Sequence, residues 1–263
     1  MDMKIALYQM NVQAGKPETN RAKVQQWLKD VAERHQPDVA VLPEMWTTGY
    51  TLSEIAQLAD EENGQTQQML KSLAKEHKID LVAGSIAVKT ADGVVNRALT
   101  ISGNGEVISE YDKIHLVPML DEPRYLAAGK DKVRPYELQE TTMGSFICYD
   151  LRFPEIARSL AVNGAKVIYV FGEWPEARRD HWDALLRARA IENQCFIVAA
   201  GAVGSHDGPN FSGHSTVISP WGNVLALASP DEEETLVATI DLSEVDEFRE
   251  AVPVLKNRLP ARY

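Results

Sequence analysis

Three side chains that can take part in covalent chemistry each follow a short segment with the pattern of a strand. Glu44 comes after VAVLP, Lys113 after VISEYD and Cys148 after SFI. Short segments of this kind, bounded by polar residues or proline, are typical of strands in a folded core. Binding sites in open α/β folds form where strands end at their carboxyl edges. We therefore expect a carboxylate, an ammonium and a thiol from distant parts of the chain to meet in one pocket.

These three groups are suited to nucleophilic attack on a carbonyl carbon. A free thiol is mostly protonated at neutral pH, so a catalytic Cys148 needs a base or a cation beside it. Glu44 would take the thiol proton and pass it to a leaving amine, while Lys113 would orient the carboxylate and stabilise the oxyanion. The backbone N–H of Tyr149 is the second expected oxyanion donor. Pro154 is expected to open a helix, which predicts a strand–turn–helix elbow that exposes the sulfur.

Taken singly, each of these residues has a simpler structural explanation. A cysteine with apolar neighbours is more often a small buried hydrophobe than a nucleophile, and this is our interpretation of Cys195 at the start of CFIVAA. A glutamate after a proline commonly caps a helix, and a lysine at the end of a strand is usually solvated. The prediction of a catalytic site therefore depends on Glu44, Lys113 and Cys148 occurring together.

Strands dominate the elements that must position these side chains. The predicted strands are KIALYQ, VAVLP, IDLVAGSIAV, NRALTI, VISEYDK, GSFICY, KVIYVF, CFIVAAG, HSTVIS, NVLALA and TLVATIDL. NRALTI and VISEYDK, joined by SGNGE, are expected to form a hairpin. Helices separate only some of the strands, and several strands are almost continuously apolar. This favours an α/β fold in which each sheet carries helices on one face and packs against the other sheet by its second face.

Four amphipathic segments are predicted to be helices. They are the stretch with Val24, Trp27, Leu28 and Val31 at a three-to-four spacing, residues 66–77, PEIARSLAVNG, and DHWDALLRARAIENQ. The third has a proline near its first turn and a glycine just past its end, and the fourth has Asp180 as its expected N-cap. Residues 114–135 show no clear period and contain three prolines. A long loop is expected there, and loops of that length are often functional.

Composition and charge argue against several classes of protein. The chain has 263 residues, 44% hydrophobic and 25% charged, which is typical of globular proteins. One domain covering residues 1–263 is the simplest interpretation. The formal net charge of −11 argues against nucleic acid as a partner, because phosphate backbones are bound by clustered Lys and Arg. No run of about 18 apolar residues is present, so no membrane span is expected.

Cysteine and histidine usage bears on location and cofactors. The two cysteines form neither a disulfide framework nor a metal-binding spacing, so the reducing cytosol is the expected compartment. The six histidines also lack a metal-ligand spacing. We therefore expect neither a metal nor an organic cofactor.

Together these segments resemble the nitrilase (carbon–nitrogen hydrolase) superfamily. Its three signature neighbourhoods match VLPEMWTTGY at 41–50, YDKIHL at 111–116 and ICYDLRFPE at 147–155, in the family's order of Glu, Lys and Cys. The similarity continues through HWDALLRARAIENQCFIVAA and GHSTVISPWGNVLA, so it covers essentially the whole chain. The resemblance implies a four-layer αββα sandwich, often a homodimer. It also implies acylation of Cys148, loss of ammonia or an amine, and hydrolysis of the thioester.

The same resemblance implies a fourth functional acid. Many members carry a second glutamate in the loop after the lysine, where it positions the substrate and helps proton transfer. LDEPRYLAAG places Glu122 in this position, seven residues before Gly129, while the neighbouring Asp121 is expected to be solvated. The usual Pro-Gly pair of this loop is replaced here by AAGK, so the resemblance leaves the loop conformation open.

Within the superfamily the chain is most similar to the omega-amidase branch. The similarity lies in LPEMWTTGY, DKIHL…DEPRYLAAG, EWPEARRDHW and RAIENQCF. Enzymes of this branch deaminate monoamides of dicarboxylic acids, notably 2-oxoglutaramate and 2-oxosuccinamate. Some bacterial relatives serve methionine salvage by clearing the 2-oxoglutaramate that a glutamine-dependent transaminase leaves. The resemblance thus implies a cysteine-dependent amidase with a small carboxylated amide as its substrate.

A substrate with a carboxylate needs a cation or an amide cluster in an otherwise acidic protein. Arg124, Arg178, Arg179 and His181 lie in the two segments expected to border the pocket. Arginine favours bidentate contacts with carboxylates, but the sequence does not choose among these candidates. Trp174, before a proline and after a predicted strand, is an expected pocket wall, with ordinary packing as the alternative.

The same residues are compatible with other activities. A nitrilase, a carbamoylase or an aliphatic amidase could use the same Glu-Lys-Cys triad. The alternative from a different class is an inactive interaction protein that keeps the scaffold. The joint retention of Glu44, Lys113, Cys148 and Glu122 argues against it, because an inactive protein has no physical need for a buried acid–base pair.

Overall fold

Two β-sheets form the centre of the protein in the computed structural model, which describes residues 2–206 and 210–262. The first sheet contains β1 (Asp2–Gln9), β2 (Val39–Val41), β3 (Asp60–Glu61), β4 (Asp80–Thr90), β5 (Gly93–Ile101), β6 (Val107–Asp112) and β13 (Glu234–Asp241). The second contains β7 (Tyr136–Leu138), β8 (Thr141–Ile147), β9 (Val167–Gly172), β10 (Phe196–Gly201), β11 (Thr216–Ile218) and β12 (Val224–Leu227). Their orders are β13-β1-β2-β4-β5-β6, with β3 beside β4, and β12-β11-β10-β9-β8-β7.

Parallel strands occupy the middle of each sheet. In the first sheet β2 is parallel to β1 and β4, and in the second β9 is parallel to β8 and β10. Every residue of β9 and β10 is buried, as their continuous apolar sequences predict for strands covered on both faces. The predicted hairpin is confirmed, because β5 and β6 pair antiparallel with Arg97 opposite Asp112.

Helices cover the outer face of each sheet. The α-helices of the described residues are α1 (Pro17–His35), α2 (Ile55–Leu58), α3 (Gln65–His77), α4 (Glu122–Tyr125), α5 (Pro154–Val162), α6 (Arg179–Asn193) and α7 (Ser243–Ala251). Apolar residues of α1 and α3 pack on the first sheet, whereas α5 and α6 contribute to the cluster around the second sheet. The order of layers is therefore helix, sheet, sheet, helix, which confirms the expected αββα sandwich.

The side chains of β1 alternate between two apolar clusters, one on each face of the first sheet. Met3, Ile5 and Leu7 join the cluster between the sheets, while Ala6 and Tyr8 join the cluster beneath α1 and α3. Successive side chains of a strand point to opposite faces, so one strand can serve both clusters. Glu44 follows β2 and Cys148 follows β8, so both lie beyond the carboxyl ends of strands.

Two local predictions need correction. The prediction that Asp180 caps α6 is wrong, because the helix begins at Arg179 and Asp180 lies in its first turn. An acidic residue there still faces the positive end of the helix dipole. The long loop at 114–135 is irregular over most of its length, but α4 forms one helical turn within it. A four-residue helix is too short to give a periodic apolar signal.

The C-terminal helix α7 is not among the predicted helices. Only two of its nine residues, Val245 and Phe248, are buried, so the apolar period is hard to recognise in the sequence. None of the helices in residues 2–206 and 210–262 is long and apolar enough to cross a bilayer. In the same residues, no group of three or more His, Cys, Asp and Glu side chains is arranged to hold a metal ion.

Candidate active site

Glu44 lies just beyond the carboxyl end of β2, where the neighbouring strand β4 approaches very closely. Gly84 in β4 has a φ of +59°, and a Cβ atom there would lie 2.0 Å from the carbonyl oxygen of Pro43. Only glycine fits this position without moving the backbone. Next to Glu44, the N–H of Met45 donates to Ser85 Oγ at 3.0 Å. The backbone that carries Glu44 is thus anchored on β4, and the carboxylate is fully buried.

Lys113 follows β6, but its side chain points into the protein. Its N–H donates to the carbonyl oxygen of Asn96 at 2.9 Å, which extends the hairpin by one residue. Its Nζ lies 3.0 Å from Glu44 Oε1 and 2.8 Å from Glu122 Oε1, and all three side chains have no exposed surface. Burial alone would lower the pKa of Lys113, yet the two carboxylates raise it above its usual value. The amine is therefore an ammonium ion held between two carboxylates.

Two further side chains belong to this network, and sequence reasoning misses both. The hydroxyl of Tyr50 lies 2.7 Å from Glu44 Oε1 and 2.6 Å from Glu122 Oε1. The same hydroxyl accepts a hydrogen bond from Lys113 Nζ at 3.0 Å. Asn96 Nδ2 donates to Glu44 Oε1 at 3.0 Å. A polar residue inside an apolar strand is the signal that could have found Asn96, and Tyr50 closes the VLPEMWTTGY motif.

Cys148 occupies the predicted elbow at the end of β8, but the prediction that this elbow exposes the sulfur is wrong, because Cys148 is buried. Its φ is +46°, a strained value for a residue with a side chain, and a short 3-10 turn leads from it into α5. Asp150, also missed by sequence reasoning, ties this turn down. Its Oδ2 accepts hydrogen bonds from the N–H of Ile147 at 3.2 Å and from the hydroxyl of Tyr111 at 2.7 Å. The nucleophile's turn is thereby fastened to the end of β6, close to Lys113.

The thiol is protonated at rest. Burial raises the pKa of Cys148 well above its usual value, the Glu44 carboxylate raises it further, and the Lys113 ammonium opposes them. A thiol in this state needs a base in direct reach before it becomes a nucleophile, and Glu44 is placed to act as that base. The structure thus brings Glu44, Lys113, Glu122 and Cys148 together, as expected from the sequence, while their catalytic roles remain predictions.

A narrow cleft leads to Cys148. It is lined by Val117, Met119, Leu120, Tyr149, Arg152, Glu173, Trp174, Pro175 and Arg178. Trp174 is buried in its wall, and its Nε1 donates to the carbonyl oxygen of Arg178 at 2.7 Å. The guanidinium of Arg152 lies 4.6 Å from the centre of the Trp174 ring, a stacking contact. Arg152 is a cation that sequence reasoning misses, although it stands four residues after Cys148 in the ICYDLRFPE motif.

Three of the four candidate cations predicted from the sequence lie outside the lining of this cleft. Arg124 is exposed, and its guanidinium lies 5.3 Å from the ring of Tyr125, outside the residues that line the cleft. Arg179 donates to a backbone carbonyl and pairs with a glutamate, and His181 is exposed. Of the four cations considered from the sequence, Arg178 therefore borders the cleft.

Comparison with known proteins identifies the family to which this site belongs. Residues 4–250 match the family model described as Carbon-nitrogen hydrolase. The chain belongs to the carbon–nitrogen hydrolase family. It is 43% identical over 254 residues to the 2-oxoglutaramate amidase of Bacillus subtilis (strain 168), covering 97% of this chain and 96% of that protein. The omega-amidase YafV of Escherichia coli (strain K12) is 37% identical over 220 residues, which is 82% of each chain.

Solved structures of other carbon–nitrogen hydrolases have the same architecture. A superfamily protein of Xanthomonas campestris, with an arsenic adduct in its active site, is 30% identical and superposes with a TM-score of 0.91 over 98% of both chains. A member of branch 10 of the nitrilase superfamily from Saccharomyces cerevisiae is 27% identical, with a TM-score of 0.88 over 98% of this chain and 96% of the other. This carbon–nitrogen hydrolase is therefore an enzyme of the class that cleaves carbon–nitrogen bonds by hydrolysis.

Proposed function

We propose that this carbon–nitrogen hydrolase is an omega-amidase. It hydrolyses the terminal amide of a small carboxylated substrate, 2-oxoglutaramate or a close analogue, to the acid and ammonia. The observation that carries the proposal is the buried Lys113, which contacts both Glu44 and Glu122 beside the Cys148 thiol. The relatives named 2-oxoglutaramate amidase and omega-amidase support the choice of substrate.

The first half of the proposed reaction forms the thioester. Glu44 accepts the thiol proton while the sulfur of Cys148 attacks the amide carbon. Lys113 Nζ and the backbone N–H of Tyr149 donate to the oxyanion of the tetrahedral intermediate, and one such donor is typically worth about 3–4 kcal/mol in the transition state. Glu44 then gives its proton to the amide nitrogen, the carbon–nitrogen bond breaks and ammonia leaves. The acyl group stays on the sulfur as a thioester.

The second half hydrolyses the thioester. Glu44 accepts a proton from a water molecule while the oxygen of that water attacks the thioester carbon. Lys113 Nζ and the backbone N–H of Tyr149 again donate to the oxyanion. The carbon–sulfur bond breaks, the thiol regains its proton from Glu44 and the acid leaves. Glu122 keeps Lys113 in position through both halves, because its Oε2 accepts the N–H of Val117 at 2.8 Å and so fixes the carboxylate to the loop.

The carboxylate of the substrate would be held at the mouth of the cleft. Arg152 and Arg178 both line the cleft that contains Cys148. Arg152 lies over the Trp174 ring, and this contact limits the orientations of its guanidinium group. Two cations in a protein with a formal net charge of −11 are a local attraction for an anionic substrate.

The assembly and cellular setting are part of the same proposal. We propose a single domain over residues 1–263, located in the cytoplasm as the cysteine usage favours. We also propose that it forms a homodimer and serves methionine salvage, as the resemblance implies. One apolar cluster spans both sheets, which supports a single domain. The dimer is supported by exposed apolar side chains on and around the edge strand β12, namely Ile191, Trp221, Val224, Leu225 and Leu227.

Release of ammonia from 2-oxoglutaramate by the purified protein tests the activity. Wild type is expected to release ammonia and Cys148→Ala is not. Cys195→Ala is the matched control, because that thiol is fully buried in the core and burial raises its pKa to about 12. Its turnover should stay within about fivefold of wild type. Equal rates for wild type and Cys148→Ala would end the proposal.

A substrate panel separates the alternatives that use the same triad. Small nitriles test the nitrilase, N-carbamoyl amino acids the carbamoylase and unsubstituted aliphatic amides the aliphatic amidase. An omega-amidase should prefer the carboxylated amides. A protein that turns over none of these substrates would fit the inactive scaffold instead.

A further inference from the structure

Glu173 is a buried carboxyl group that the proposed mechanism does not use. It follows β9 directly, has 1% of its surface exposed and lines the same cleft as Cys148. Its backbone N–H donates to Glu44 Oε2 at 2.8 Å, so it lies against the proposed base. Neither oxygen of its own carboxyl group has a hydrogen-bond partner among the described residues. Two unpartnered buried oxygens are costly, and in a substrate cleft they indicate a group that binds there.

The charges around Glu173 define the form in which it would bind a ligand. The charges of Glu44, after β2, and Lys113, after β6, shift the pKa of Glu173 from the side of the first sheet. Arg152, after β8, and Arg178, before α6, line the same cleft as Glu173. Burial raises the pKa of Glu173 well above its usual value, the Glu44 carboxylate adds to this rise, and Lys113 opposes it. The single Lys113 ammonium already faces two carboxylates. The raised pKa of Glu173 favours the neutral carboxyl group, which offers one carbonyl acceptor and one O–H donor.

We propose that the neutral carboxyl group of Glu173 is a specificity-determining group that accepts a hydrogen bond from the NH2 group of the substrate amide. The inference rests on the proposed function and deepens it. The amide nitrogen must lie within hydrogen-bond reach of Glu44 to receive its proton. The backbone N–H of Glu173 donates to the second oxygen of that same carboxylate, and Glu173 lines the cleft that contains Cys148. A primary amide brings two N–H donors, so one can face Glu44 and the other Glu173. An ester brings no donor on its leaving oxygen and leaves the Glu173 carbonyl unpaired.

A matched pair of substrates isolates this contact. Succinamate and monomethyl succinate deliver the same succinyl group to Cys148, so hydrolysis of the thioester is common to both. The ratio of their kcat/KM values then reports only on the leaving group. Glu173→Leu and Glu173→Met remove the acceptor and should lower the amide-to-ester ratio by about tenfold or more, the loss expected for one buried hydrogen bond to substrate. Glu173→Gln keeps a carbonyl oxygen and should hold the ratio within about threefold of wild type.

Several outcomes would overturn the proposal. An equal fall of the amide and ester rates in Glu173→Leu, which leaves their ratio unchanged, would indicate a purely structural role. Unchanged rates for both substrates would show that Glu173 does not contact the substrate amide. A ratio in Glu173→Gln as low as in Glu173→Leu would show that the carbonyl acceptor is not what matters. Thermal unfolding of each variant checks that it folds, with Glu173→Met as the second apolar variant. If wild type releases ammonia from neither succinamate nor 2-oxoglutaramate, the omega-amidase proposal fails by itself. Propionamide with methyl propionate then gives the ratio for Glu173.

Discussion

Lys113 Nζ lies 2.8 Å from Glu122 Oε1, and neither side chain has any exposed surface. The two residues belong to different parts of the fold, because Lys113 directly follows β6 and Glu122 opens the single turn of α4. Removing one member of a buried pair leaves the other charge uncompensated, which costs far more than the loss of a surface pair. The position of the proposed oxyanion donor therefore depends on the loop after it.

Glu122→Gln is expected to lower kcat by about a hundredfold or more. The uncharged glutamine side chain no longer balances the Lys113 ammonium or holds it in line with the reacting carbonyl of the substrate. Asp121→Asn is the matched control. Asp121 is exposed, and its φ of +55° is one that asparagine tolerates. The kcat of the Asp121→Asn variant should therefore differ from that of wild type by less than about threefold. Steady-state ammonia release measures both variants. Unchanged kinetics in Glu122→Gln would remove the residue from the mechanism.

Arg152→Gln and Arg178→Gln are expected to raise the KM for succinamate by about tenfold, the loss of one hydrogen bond to a charged group. The KM for neutral butyramide should stay nearly constant, because it has no carboxylate to bind. Arg124→Gln serves as the control, since Arg124 lies outside the cleft lining. A KM effect in Arg124→Gln as large as in the other two variants would restore Arg124 as the binding cation and contradict the assignment made from the cleft.

The stability of Glu173→Gln relative to that of wild type should increase as the pH rises. Above about 4.5, the ordinary value, the unfolded chain loses the Glu173 proton while the folded protein keeps it, because the pKa of Glu173 is raised in the fold. The folded state then binds more protons, so wild-type stability falls with pH by up to about 1.4 kcal/mol per pH unit until the folded-state pKa is reached. The amide side chain of the Glu173→Gln variant does not titrate, so the variant escapes this loss.

Urea unfolding of both proteins between pH 5 and pH 8 measures this difference. The free energy of unfolding of Glu173→Gln minus that of wild type should grow with pH. Glu76→Gln, which removes a carboxylate from the exposed face of α3, is the matched control for a surface substitution. A constant difference across this range would show that Glu173 ionises as readily in the fold as in the unfolded chain.

Gly84→Ala is expected to impair both stability and catalysis. The added Cβ would lie 2.0 Å from the carbonyl oxygen of Pro43, next to Glu44, and backbone atoms must move to relieve the clash. We expect a loss of more than about 2 kcal/mol in the free energy of unfolding and at least about tenfold in kcat. Gly15→Ala has a similar positive φ, +70°, but its Cβ would come no closer than 3.6 Å to a neighbour. It should cost about 1 kcal/mol and leave kcat unchanged. Equal behaviour of the two variants in thermal unfolding and turnover would contradict this reasoning.

Much of the fold could be predicted because the signals are local along the chain. The continuous apolar runs of β9 and β10 predict strands covered on both faces, and the three-to-four spacing in α1 predicts a helix with one buried face. The exceptions are elements without such a pattern. The four residues of α4 are too few for a period, and α7 buries only Val245 and Phe248.

The sequence by itself determined which reactive residues end strands, because a strand and the polar residue that follows it are both visible in one short segment. Glu44, Lys113 and Cys148 are found in this way, and Glu122 by its motif. Only the tertiary structure decided which side chains share the site with them. Tyr50, Glu173 and Arg152 enter through contacts between segments that are far apart in the chain, and Arg124 is left outside. The physical reason is that the direction of a side chain on a loop depends on the elements packed around it. Local sequence does not record which of those elements lie close to the loop.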